Sequence, residues 1–244
     1  LEDFALKGNV AESKYAIKIL ALIPDKAKKE KILSSLRSSA LPLEFPTHSK
    51  HLLCNSLVIL SQLFKVDFNL LKDDCNEITT FILRYLLVTN EFFKDIIEGE
   101  DTVEWIDDTQ LLNKKEWAIS TKLLCLQLLT NRMISEAQAS ETVDSSLETI
   151  FHKILKLFLY FVSNGGEVIN PENETKYPTP VSYQRRIRCQ AGLQILKLAK
   201  VAKFNKWIES KFIFKLINLV EDESFPVRYK FVNKLKNYIS EEAI

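Results

Sequence analysis

Phe212-Ile213-Phe214-Lys215-Leu216-Ile217-Asn218-Leu219-Val220 runs into Glu221-Asp222-Glu223-Ser224, and Phe225-Pro226-Val227-Arg228 follows. The first of these stretches has the apolar spacing of a helix that ends at the acidic turn. A second helix opens after the turn. Pro226 suits its first turn, where no intrahelical hydrogen bond is lost, and Asp222 can accept from the exposed amides at the helix start. Arg228 can reach back to acceptors in its own or a neighbouring turn. Val227, Phe231 and Leu235 then share one face at i, i+4 and i+8 as the helix runs to Tyr238. The result is a pair of helices, each too apolar on one side to stand alone.

An acidic turn followed by Val-Arg is the signature of a HEAT-type hairpin, and the preceding stretch repeats the theme. There Arg186 or Arg188 takes the arginine's place, and Ala191 and Gly192, with Ile195 and Leu198, put small residues where helices approach closely. Across the chain, helical spacing predicts helices near 10–22, 25–39, 47–65, 75–88, 90–98, 111–133, 144–164, 181–202, 205–220 and 225–240. Pro24-Asp25 restarts a helix, residues 41–47 form a Pro-flanked connector, and polar loops fall at 135–146 and 164–180, the second holding Gly165, Gly166 and three prolines. The expected fold is all-α, a right-handed α-solenoid of HEAT repeats. It runs as a single continuous array over 1–244, with about five helical hairpins that bury their apolar sides by stacking on neighbours. With Leu1 first and the one methionine at Met133, the chain reads as an excerpt of a longer protein.

Composition agrees. Five Gly and seven Pro in 244 residues leave little of the turn chemistry that a many-stranded fold needs. A net charge of +1 on 33 basic and 32 acidic residues gives no bulk attraction to nucleic acid or anionic lipid, so such binding requires a local patch. The charge is unevenly spread. Residues 90–109 hold eight carboxylates against Lys94, and residues 185–215 hold nine bases against Glu209, an asymmetry suited to oriented docking of a partner. No apolar run approaches the roughly 18 residues of a membrane span. Cys54, Cys75, Cys125 and Cys189 sit in apolar helical patterns and read as reduced core residues of a cytosolic or nuclear protein.

Catalytic chemistry finds little to build on. His48 and His51 precede Cys54 at three-residue spacing, but a zinc site needs a fourth ligand that no CxxC or HxxxH supplies. His152 reads as a partly buried core residue, and Gly165-Gly166 lacks the following Lys-Ser or Lys-Thr of a phosphate loop. No catalytic, metal or cofactor-binding residue is expected, which leaves a binding scaffold. Trp117 and Trp207 read as core, whereas Trp105, inside the acidic stretch, plugs either a neighbouring repeat or a partner pocket. The helix from Arg185 presents a polar stripe of Arg186, Gln190, Gln194 and Lys197 opposite Ile187, Ala191, Ile195, Leu198 and Ala202. With Arg185, Lys200 and Trp105, that stripe is the expected partner-binding set, its arginines suited to the carboxylates of another chain. A phosphate backbone is the competing ligand.

Arg186-Ile187-Arg188-Cys189-Gln190-Ala191-Gly192-Leu193-Gln194-Ile195-Leu196-Lys197-Leu198-Ala199, then Leu219-Val220-Glu221-Asp222-Glu223, Val227-Arg228 and Lys234-Leu235, resemble the precocious-dissociation-of-sisters family, most of all its fungal members. Lys7-Gly8 before residues 11–20, and residues 105–108 before the long helix that starts near Glu116, fit the same order. The resemblance covers nearly the whole chain. It implies a nuclear, chromosome-associated HEAT-repeat scaffold that binds the kleisin subunit of cohesin and maintains and regulates sister chromatid cohesion. It also implies work beside a wings-apart-like release factor and the cohesin acetyltransferase, with DNA touched only indirectly or weakly. Vertebrate members receive a short peptide on an Ala-Pro-Asp motif. The nearest stretch here, Phe64-Lys65-Val66-Asp67-Phe68, keeps only the Asp, so that docking mode is not expected. The other readings are a nucleic-acid-binding HEAT solenoid and a condensin or transport-receptor HEAT fragment, which share the fold.

Overall fold

Asn9 shows how closely local chemistry follows the sequence: its side chain accepts from the amides of Ala11 and Glu12, while the Glu12 carboxylate accepts from the Asn9 amide at 2.8 Å. This capping box starts the second of ten α-helices found, without any strand, among the described residues. The computed structural model describes residues 1–44, 50–88, 104–112, 116–140, 145–168 and 179–241. They belong to two compact units, Leu1–Thr89 with Asp108–Ala139, and Asn90–Asp107 with Ser140–Ile244.

The first unit holds α1 (Glu2–Lys7), α2 (Val10–Leu20), α3 (Lys26–Ala40), α4 (Lys50–Val66), α5 (Cys75–Phe81), which continues as a π-helix over Ile82–Leu87, and α6 (Trp117–Ala139). Helix α1 packs on α2, α3 on α4, and the π-helical continuation of α5 on α6; α2, α4 and α6 also stack in succession, and α1 touches α3. Each second helix of a pair thus lies against the second helix of the next, the packing of HEAT-type hairpins. Helix α4 is the middle layer, with Leu57, Leu60, Leu63 and Phe64 fully buried. Its buried polar groups act as ties. Asn55 donates to the carbonyls of Leu6 and Gly8, and Asn131 of α6 donates to the Ser61 carbonyl and hydroxyl at 3.1 and 2.8 Å. Arg132, also on α6, donates to the Cys75 carbonyl, Thr79 and Asn76.

Helix α6 passes residue 133 and continues to Ala139, so the loop expected from residue 135 starts only after it. Met133 and Ala137 lie one turn apart on a fully buried face, and Arg132 pairs with Glu136 across the same turn, which carries the helix onward despite its polar composition. The short α1 is a helix beyond those expected. The predicted helix at 90–98 lies outside the described residues.

The second unit holds α7 (Ser145–Ser163), α8 (Val181–Ala199), α9 (Ser210–Val220) and α10 (Phe225–Ser240). Helix α7 pairs with α8 and α9 with α10, while α7 stacks on α9 and α8 on α10. The single helix expected over 205–220 is instead a 3-10 helix at Ala202–Trp207 followed by α9, with Ile208 and Glu209 extended between them. The tighter turn stacks Phe204 on Trp207 and brings both against Phe151, at 4.7 and 5.3 Å between ring centres. Gly192 allows the close approach expected of it: a Cβ there would lie 2.1 Å from Leu219 Cδ1 and 3.2 Å from Phe231.

In the diagnostic turn the arginine reaches back as the sequence implies, while Asp222 accepts from Ser224, the residue before α10, rather than from the helix's own first turn. Arg228 donates to the carbonyls of Asp222 and Glu223, and Asp222 accepts from the Ser224 amide. Of the two arginines offered by the preceding repeat, Arg188 is the one that reaches Asp222. The four cysteines are free and buried, Trp207 is buried, and Trp117 is only half-buried rather than core. His152 is half-buried beside Phe151 and Trp207, while His48 and the side chain of His51 lie outside the described residues. No helix among the described residues is long and apolar enough to cross a membrane.

Candidate partner-binding surface

Helix α8 follows Pro180 and buries Tyr183, Ile187, Cys189, Ala191, Ile195 and Leu198 between α7 and α10. Its polar residues differ in how far they reach solvent, and Arg186 and Lys200 mark the seam with α10. Arg185, Gln190 and Lys197 are half-buried and Lys200 is exposed. Arg186 and Gln194 are each only 7% exposed, a correction to the expectation of a solvated stripe through both. The physical reason is that α8 is flanked on two sides, so little of its circumference is left open, and Trp105 covers the Arg186 position.

Trp105 is the half-buried centre of this arrangement. The Arg186 guanidinium carbon lies 4.7 Å from its ring centre, and Lys230 Nζ of α10 lies 5.4 Å from the same centre. Arg185 Nη1 donates to the Glu104 carbonyl at 3.0 Å, and Ile106 is buried beside them in sequence. Desolvated contacts of this kind are each worth up to about 2 kcal/mol. Of the two placements considered for Trp105, this is packing onto a neighbouring helical hairpin of its own unit.

At the other end of α8, Lys200 Nζ stands 4.3 Å over the Tyr238 ring and 3.1 Å from Glu241 Oε2, and Lys234 Nζ stands 4.4 Å over the same ring. The structure thus brings Arg185, Arg186 and Trp105 together at one end of the seam and leaves Lys200 at the other. Lys230, Lys234 and Tyr238 were missed in reading the sequence, although their i, i+4, i+8 spacing places them on one face of α10.

Burial dominates the chemistry beneath the seam. The Cys189 thiol is pushed up to about 11 by desolvation, against the opposing pull of Arg186, Lys230 and Arg188. A thiol held so firmly neutral is a packing residue rather than a nucleophile. In the first unit, Asp67 of the stretch compared with the vertebrate Ala-Pro-Asp motif accepts from the Asn69 amide at 3.0 Å and caps the 3-10 helix Phe68–Leu71. Among the described residues no three His, Cys, Asp or Glu side chains converge as metal ligands would.

A family model described as "Sister chromatid cohesion protein PDS5 protein" matches residues 1–244. The chain is 36% identical over 244 residues to Sister chromatid cohesion protein PDS5 of Saccharomyces cerevisiae, a match covering 100% of this chain and 18% of that protein. It is 22% identical over 244 residues to Sister chromatid cohesion protein pds5 of Schizosaccharomyces pombe, covering 98% of this chain and again 18% of the relative. The chain therefore spans less than a fifth of the length of these curated relatives.

Proposed function

The chain belongs to the PDS5 family of sister chromatid cohesion proteins, and on that premise we propose that it is a non-catalytic segment of a nuclear, chromosome-associated scaffold that regulates cohesin by holding its kleisin subunit. The observation that carries the reading is the α8–α10 seam. Arg186 shares the Trp105 ring with Lys230, and Lys200, at the end of α8, shares the Tyr238 ring with Lys234; with Arg185 and Lys197 on the same helix they make a cationic strip suited to an acidic or polar segment of another chain. The release factor and the acetyltransferase act on the same assembly in this reading, and DNA contributes only indirectly.

Residues 1–244 form one continuous array of about five hairpins in this proposal, part of a longer one. What supports a longer array is that Ile213, Phe214, Ile217 and Val220 of α9 and Phe225 and Val232 of α10 are exposed, apolar residues of the kind that a further hairpin covers.

The test is a titration of the chain against labelled kleisin peptides and a DNA duplex at low and moderate salt. Saturable peptide binding that tolerates moderate salt, and that weakens at least tenfold in Lys197→Glu/Lys200→Glu with the thermal melt unchanged, is the expected result. Binding to duplex alone, with the steep salt dependence of many phosphate contacts, would replace this reading with the nucleic-acid one.

A further inference from the structure

Glu104–Asp107 has neither helix nor strand, yet it is held on the seam as a bound peptide would be. One aromatic side chain meets cations from two helices, one main-chain carbonyl accepts from an arginine, and the next side chain, Ile106, is buried. Its sequence surroundings are acidic, with Glu100, Asp101, Glu104, Asp107 and Asp108 within four or five residues of Trp105. Like charges from Arg185, Arg186 and Lys230 repel one another, so an electron-rich ring with acidic neighbours is the group they select.

We propose that the α8–α10 seam is a receptor for an aromatic residue carried in an acidic peptide, and that Glu104–Ile106 of this chain occupies it as an internal competitor. The proposal rests on the reading of α8 as the partner-binding surface. It explains how Arg186, nearly buried here, serves an incoming chain: the partner's aromatic side chain takes the place of Trp105. A receptor closed by its own segment binds with its affinity reduced by the fraction of time the segment is released. Losing contacts of cation–π strength shifts that fraction by roughly five- to thirtyfold.

The experiment uses the whole chain and a labelled peptide of residues 100–108 offered in trans, read by fluorescence anisotropy. Trp105→Ala is expected to bind the peptide at least fivefold more tightly than the unmodified chain, Trp105→Phe to bind close to the unmodified level, and a peptide with its Trp replaced by Ala to bind neither. Lys230→Ala, added to Trp105→Ala, is expected to abolish the gain. Equal affinity in Trp105→Ala and the unmodified chain, or equal binding of the Ala peptide, overturns the proposal. Should Trp105→Ala melt early, the unmodified chain serves as the test: it must bind the Trp peptide, weakly, and not the Ala peptide. The kleisin titration keeps the two readings apart. Kleisin binding that is unchanged in Trp105→Ala sinks the competitor and leaves the scaffold reading standing, whereas gain of the trans peptide without any kleisin binding does the reverse.

Discussion

Arg188 of α8 and Asp222, in the turn that opens α10, form a two-point ion pair, Nε to Oδ2 at 2.6 Å and Nη2 to Oδ1 at 2.8 Å, with both side chains 7% exposed. Arg188 also donates to the Gly165 carbonyl, so one guanidinium ties the loop of its own hairpin to the turn of the next. A matching tie occurs in the first unit, where Arg37 of α3 grips Asp74 ahead of α5. Removing either member of the Arg188–Asp222 pair leaves a buried charge without its partner. Arg188→Met or Asp222→Leu is expected to cost about 3–5 kcal/mol in guanidinium unfolding, and the double substitution to recover most of that loss. Additive losses would show that the two groups act separately.

Gly192 gives a second prediction. Alanine is the better helix former by up to about 1 kcal/mol, but its methyl would collide with Leu219, which is itself buried and cannot swing away. Steric cost wins: Gly192→Ala is expected to lose about 1–3 kcal/mol, and Gly192→Val more. A rise in the unfolding midpoint of Gly192→Ala would show that the helices separate without penalty.

The thiols give a third. Cys54, Cys75 and Cys189 are raised from 9.0 to about 11 by burial, and burial raises Cys125 in the same direction. Because the folded value is the higher one, the stability linked to each thiol is fully present below pH 9 and is lost as pH climbs towards 11. Unfolding midpoints are expected to fall across that window, and the four thiols to resist Ellman's reagent at pH 8 until the chain opens. Cys189 reports on the second unit and the others on the first, so their labelling against denaturant tests the proposed single array. One shared transition supports it, and two separate ones divide it.

Two polar contacts of similar length should differ in worth. Asn131→Ala leaves the buried Ser61 hydroxyl without its donor and is expected to cost about 1–3 kcal/mol. Glu241→Ala removes a partner of Lys200 at the surface and is expected to change stability by less than about 0.5 kcal/mol. Urea midpoints of the two variants decide it.

The helical hairpins were legible because burial on one side imposes a period of 3.6 on the sequence, and residues 212–238 show it twice around an acidic turn. The end of α6 was not, since Ser135, Glu136 and Gln138 read as loop unless Ala137 is known to be buried. Choosing between Arg186 and Arg188 needed the rotation of α8 relative to α10: two residues apart on a helix, they point to nearly opposite sides. Periodicity puts Arg186, Gln190, Gln194 and Lys197 on one polar stripe, but it carries no sign that Arg186 and Gln194 are buried or that Trp105 meets Lys230, a contact between segments far apart in sequence and one that no local pattern encodes.

The Glu167 carboxylate accepts from the Thr179 amide at 2.9 Å, and Gln184 donates to the Thr179 carbonyl, while Gly166 lets the main chain pass so near Gln184 that any side chain would collide. The α7–α8 hairpin is therefore latched at its neck. The two ends of any insertion made between Glu167 and Thr179 are thus already joined, and doubling the length of a flexible closed segment adds only about 0.6 kcal/mol of closure entropy. That makes the neck a natural graft point, where a reporter or a recruiting module joins the chain without the helices having to accommodate it.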